Sequence, residues 1–181
     1  MSCDPPSLPE EHNGQMPLPG DDVDRIVAAW KKERPDLDVS PLHVLSRVGR
    51  IAKHLDRLRR DAFNTHDLEV WEFDVLAALR RSGPPYALSP TTLMSETLVT
   101  SGAMTNRINR LEARGFVTRD PDDSDGRKVL VQLTRQGEIT VDLAFDALLK
   151  LERHLLRSVA AADRAVLRDL LRTLSSDIEG P

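Results

Sequence analysis

Cysteine occurs once, at Cys3. A lone thiol can form neither an intrachain disulfide nor a Cys/His metal cluster, and nothing near it on the chain would depress its pKa and make it a redox sensor. His43, His54, His66 and His154 are scattered without ligand spacing, so no metal or other cofactor is expected. Long apolar runs are also missing. No stretch suffices to span a bilayer and the N-terminus lacks the charged and apolar regions of a signal peptide, which leaves the cytoplasm as the default location. Nor is there a basic excess: 25 Lys and Arg stand against 29 Asp and Glu, a net charge of -4, so any surface for a polyanion has to be local. A Gly-rich phosphate loop and a nucleophile with a placed base are both lacking, which argues against an enzyme.

What is present is concentrated between Leu88 and Thr134. Ser89-Pro90 offers a capping hydroxyl followed by a proline suited to the first helical position. Leu88 and Leu93 can staple that start, although Thr92 stands where a capping box needs Glu or Gln. A second helix opens on Thr100, carries Met104, Ile108 and Leu111 as a narrow apolar stripe, and stops at Gly115. Its outward positions, Ser101, Thr105, Asn106, Asn109 and Arg110, are short and polar or basic. A helix entering a major groove needs such a surface, and so does a merely solvated one.

A hairpin follows. Residues 116–119 and 129–133 read as strands, with the turn-rich run 120–128 between them. Arg127 and Lys128 fall just beyond the expected tip of this wing, where a guanidinium could reach a minor groove. From Ser101 to Arg135 seven basic side chains face five acidic ones, a modest local bias that two copies of the chain would double.

The run RINRLEARGFVTRDPDDSDGRKVLVQLTRQG resembles the signature of the MarR family, including the Asp125-x-Arg127 wing motif and Leu133-Thr134 before the next helix. The resemblance covers roughly residues 40 to 177. It implies a dimeric, ligand-responsive transcription factor on a pseudo-palindromic operator. The expected fold class is mainly α with a small β-hairpin wing, a winged helix-turn-helix with a helical dimerisation region.

Taken in order, residues 1–20 hold five prolines and two glycines and read as a disordered tail. Residues 21–34 form an additional helix lined by Val23, Ile26, Val27 and Trp30, ending before Pro35. Residues 35–66 and 135–181 make up the expected dimerisation region, and 67–134 the DNA-reading lobe. Within the former, Ser40-Pro41 starts a helix with Val44, Val48, Ile51, Leu55 and Leu58 at near-heptad spacing and Arg47, Arg50, Lys53, Arg57, Arg59 and Arg60 on its other faces. A further helix runs from about Asp67 to Arg81 with Leu68, Trp71, Val75 and Leu79 inward. After the wing, Thr134 caps a long helix reaching Val159 through Ile139, Leu143, Leu148, Leu151 and Leu155, and Asp163 caps a last one with Leu167, Leu170, Leu171 and Leu174. More leucine than one lobe can cover argues for a homodimer.

Asp74 lies in an apolar helix, where an unpaired carboxylate is costly, so a cationic partner is expected; Arg107 is the candidate. Such a pair is either structural or a lever that an anion can pull. A narrower resemblance bears on the choice. The urate-responsive branch of the family carries an extra N-terminal helix with a tryptophan, an aspartate before the helix-turn-helix, an arginine in the recognition helix and one on the first wing strand. Trp30, Asp74, Arg107 and Arg119 match these, with Ala103 where that branch usually has proline. The resemblance implies that Trp30 stacks on a purine, Arg107 and Arg119 engage its anionic edge, and Asp74 moves away from it; Trp30 as plain packing is the alternative. The function so implied is a repressor released from operator DNA by urate or a related purine. The rivals are a regulator answering to a phenolic or other aromatic anion, and a winged-helix module for DNA architecture or protein contacts without a ligand.

Overall fold

The computed structural model describes residues 20–122 and 125–179, excluding the side chains of 122–128 and 179. The proposed tail (apart from Gly20), Cys3, and the side chains of Asp125, Arg127 and Lys128 lie outside the described residues. The chain divides at residue 53 into two compact units.

In the first unit, α1 (Asp22–Glu33) begins with a reciprocal cap: Asp21 accepts from the amides of Val23 and Asp24, and Asp24 accepts from the Asp21 amide at 2.9 Å. Val23 and Val27 are buried with Val39, while Trp30 on the same helix is 50% exposed. Arg47 of α2 (Leu42–Asn64) donates to both Asp21 and Asp24, at 2.9 and 2.8 Å. The helix starts at Leu42, and Ser40 donates to Asp38 instead of capping it. Beyond residue 53, α2 continues into the second unit.

There Phe63 near the end of α2 stacks on Phe73 of α3 (Val70–Arg81) with ring centroids 4.2 Å apart. α3 begins later than its sequence suggests because Asp67 takes a left-handed turn (φ 54°) and Glu69 becomes the cap residue. β1 (Ala87–Leu88), too short to leave a periodic signal, leads into α4 (Pro90–Thr97), which Ser89 caps through the Thr92 amide. Leu98 is left-handed (φ 53°) at the turn, and α5 (Ser101–Ala113) follows. β2 (Val117–Asp122) and β3 (Asp125–Leu133) form an antiparallel hairpin, and β1 adds to the far side of β3. The strands thus run well into the stretch read as a turn. β2 is an edge strand, which tolerates Pro121 in its ladder.

Gly115 adopts φ 73° at the end of α5, and Thr134 hydroxyl donates to its carbonyl at 2.7 Å. Thr134 also caps α6 (Arg135–Leu155) by accepting from Gly137. α6 ends earlier than expected, in a 3-10 turn (Leu156–Ser158) with Val159 extended, and α7 (Ala161–Glu179) begins before Asp163, which sits in its first turn instead of at its cap. Val141, Ala144 and Leu148 carry α6 into the core with Leu76, Leu79, Leu93, Met104, Ile108 and Leu111. The opposite side of α6, including Ile139 and Leu143, is exposed, as are Val166, Leu167, Leu170 and Leu171 of α7. The architecture is mainly helical with a small three-stranded antiparallel sheet, a winged helix-turn-helix.

Candidate effector cleft and nucleic-acid face

The helix α5 has two separate surfaces. Met104, Ile108 and Leu111 are buried, as their spacing requires. Ser101, Thr105, Asn106 and Asn109 are exposed. The Thr105 hydroxyl donates back to the Ser101 carbonyl at 3.1 Å, a bond that leaves its lone pairs outward. Arg110 is drawn toward α3: its guanidinium donates to Glu69 at 2.6 Å and lies 4.6 Å over the Trp71 ring. Arg119, on β2, braces this helix by donating to Glu112 at 2.9 Å and to the Asn109 side-chain oxygen.

A cleft of about 470 Å³ opens beside this helix. The last turns of α2 contribute Asp56, Arg59, Arg60 and Asn64 to its wall; the start of α3 contributes Glu69, Val70, Trp71 and Asp74, and α5 contributes Arg107. Trp71 donates its indole N–H to Glu69 at 2.5 Å, and Arg107 lies 5.5 Å from its ring on the cleft side of the helix-turn-helix. The bonds from Trp71 and then Arg110 hold the Glu69 carboxyl below its ordinary value.

Asp74 does not pair directly with Arg107. The nearest cation is Arg59, whose Nη2 is 3.7 Å from Asp74 Oδ1, an ion pair beyond hydrogen-bond reach. Partial burial pushes the Asp74 carboxyl up, and the charges of Arg59, Arg107 and Arg81 pull it back only in part. Sequence spacing marked Asp74 as the buried acid of α3, but its side chain is 43% exposed. Glu72 is the one with no exposed surface; it accepts from Arg114 at 2.6 Å and from the Glu69 amide at 2.9 Å.

Of the four residues assigned to urate by resemblance, Asp74 and Arg107 meet in the cleft. Arg119 is not brought there, being committed to Asn109 and Glu112, and Trp30 belongs to the other compact unit. Sequence reading did not single out Arg59, Glu69 or Trp71 as lining this cleft. Arg59 had a signal. It lies four residues before Phe63, so the two share a helix face, and its guanidinium is 5.8 Å from that buried ring.

A helix-turn-helix with a paired wing and a polar outer helix face defines a DNA-binding regulator of the winged-helix class. Comparison with known proteins sharpens this. A family model described as MarR family matches residues 66–128. The HTH-type transcriptional regulator PecS of Dickeya dadantii is 36% identical over 150 residues, covering 83% of this chain and 90% of PecS. The solved structure of a mutant MarR from E. coli complexed with operator DNA is similar with a TM-score of 0.64 at 27% identity, over 76% of this chain and 99% of that one. Bordetella bronchiseptica BpsR, solved to explain regulation of its DNA binding by 6-hydroxynicotinic acid, has a TM-score of 0.56 at 27% identity, over 71% of this chain and 92% of BpsR. The chain belongs to the MarR family of transcriptional regulators, which are not enzymes.

Proposed function

We propose that the protein is a homodimeric repressor that binds a pseudo-palindromic operator and leaves it when urate or a related purine anion enters the cleft. The observation that carries this reading is that one helix serves both surfaces. Arg107 lines the cleft, while Thr105, Asn106 and Asn109 on the same α5 are exposed for base edges. A ligand that draws Arg107 inward re-aims those residues. It shifts the equilibrium only by its difference in affinity for the DNA-competent and DNA-incompetent arrangements.

Ser101 extends the DNA-facing set on α5, Arg110 would join it on release from Glu69, and the sequence assigns Arg127 and Lys128 to the wing's share. Trp71 and the arginines of the cleft suit a planar anion, which needs an aromatic face and cationic donors. Trp30 keeps an exposed indole, and a Trp30→Ala variant tests the stacking role assigned to it by resemblance. Uncovered leucines of α6 and α7, with Val44, Leu45, Val48 and Ile51 of α2, supply apolar surface for dimerisation.

The test is a duplex selected from a random pool by the protein, followed in a binding assay as urate, 6-hydroxynicotinate and salicylate are added. Release by urate, lost in Arg107→Gln with dimerisation intact, supports the purine reading. Release by the aromatic carboxylates alone supports the second reading, which the similarity to BpsR favours. Equal binding to selected and random duplexes over a salt series would leave an architectural module.

A further inference from the structure

We propose that Arg59 is the residue that receives the effector anion, through the Nε and Nη2 edge of its guanidinium and in competition with Asp74. This rests on the reading of the cleft as the effector site, and it names the recognition element within it.

Arg59 carries an unmet donor. Arg59 Nε is shielded from solvent and has no hydrogen-bond partner among the described residues. A guanidinium N–H in that position loses its bond to water without gaining another, a cost that buried polar groups seldom carry. On the same edge, the one partner of Nη2 among the described residues is the distant Asp74 oxygen at 3.7 Å. Asp74 is therefore close enough to neutralise charge and too far to satisfy either donor. The site holds a cation whose bidentate edge is unused.

An arginine edge presents two parallel N–H groups, and the acceptor that matches it has two adjacent oxygen or nitrogen lone pairs in one plane. Carboxylates and the ionised ring edge of a purine both have this form. Such an anion supplies one acceptor to Nη2 and, as the guanidinium turns toward the cleft, one to Nε, and displaces Asp74 from the charge it now shares. The remaining charges favour arrival of an anion. Glu69 is already engaged by Arg110 and Trp71, which leaves Arg59, Arg60 and Arg107 in the cleft against Asp56 and Asp74. Arg107 lines the same cleft from another helix, so an anion held by Arg59 lies within the field of the DNA-reading element.

Lysine at position 59 would keep the charge and lose the fork, and asparagine at 74 would remove the competitor while keeping the shape. Calorimetric titration of the full-length protein with urate, and separately with salicylate, tests both. Arg59→Lys is expected to weaken the binding of whichever probe the wild type takes by roughly tenfold, the scale of a lost charge-assisted hydrogen bond. Arg57→Gln, on the same helix but outside the cleft lining, is expected to change it by less than about threefold. Asp74→Asn is expected to tighten it. A purely structural Arg59 would move melting temperature and leave these affinities alone. Unchanged binding in Arg59→Lys, or weaker binding in Asp74→Asn, overturns the inference with the cleft reading intact. If Arg59→Lys fails to fold, the Asp74→Asn titration decides alone. Wild-type protein that binds neither probe overturns the cleft reading and this inference together.

Discussion

Arg114, at the end of α5, donates from Nη1 to the fully buried carboxylate of Glu72 at 2.6 Å, and from Nη2 to the Asp67 carbonyl and carboxylate at 2.6 and 2.7 Å. One side chain thus joins α5 to the start of α3, which lines the cleft. Arg114 and the Glu69 amide are the two donors that reach this carboxylate among the described residues. Arg114→Ala is expected to cost about 3–5 kcal/mol, the penalty for leaving a buried charge unpaired. Urea unfolding should show it as a fall in midpoint with little change in slope.

Asp74 makes the opposite prediction. Its carboxyl is raised above the ordinary value of 3.8, chiefly by burial, so the folded state holds the proton more tightly than the unfolded chain. The cations facing it are Arg59, Arg107 and Arg81, and they offset the burial only in part. Below the ordinary carboxylate value both states are protonated and nothing is lost; as pH rises through the raised value, the ionised carboxylate subtracts from stability. Asp74→Asn should therefore raise the melting temperature at neutral pH. That gain should shrink as the pH is lowered toward the ordinary carboxylate value, which a pair of thermal melts at neutral and acid pH will show.

These two acids mark where sequence reasoning reached its limit. α3 is apolar on nearly every side, with Phe73, Val75, Leu76, Ala78 and Leu79 all buried. Positions 72 and 74 differ by about 200° around a helix, but without a polar face no periodicity says which of them points inward. The partner of Asp74 was equally hidden, because Arg59 comes from a helix separated from it by a turn and only tertiary packing brings them together. The helix-turn-helix was legible because its signals are local. Ser89-Pro90, Thr100 and Gly115 each act within a few residues, and Met104, Ile108 and Leu111 share one stripe. Turn formers misled at the wing, where pairing persists through Pro121 on an edge strand. Along α6 the leucine count alone did not say which apolar residues serve the lobe: Leu148 fills the core with Val141 and Ala144, while Ile139 and Leu143 are exposed.

Gly137 is a position where the fold has no space for a side chain. A Cβ there would stand 2.1 Å from the Phe116 carbonyl oxygen and 3.1 Å from Leu133 Cδ2. The obstacle is backbone, so it cannot rotate aside. Gly137→Ala, a change that would favour an exposed helix, should here destabilise by at least about 1–3 kcal/mol. A chemical denaturation midpoint below that of the wild type checks the sign.

The uncovered face of α7 gives a test of assembly. Leu170 is 63% exposed in the single chain. If a second copy covers it, Leu170→Glu places a charge in an apolar interface and should shift sedimentation from dimer toward monomer, with loss of operator binding. An unchanged sedimentation coefficient would place the interface elsewhere.

The central claim is that cleft and DNA face are coupled through α5, and coupling is reciprocal by thermodynamic necessity. Urate affinity should therefore be measured by calorimetry on the free protein and on the protein saturated with its selected duplex. The account predicts weaker urate binding to the DNA complex, by the same factor with which urate weakens the duplex. Equal urate affinity in the two states would contradict it.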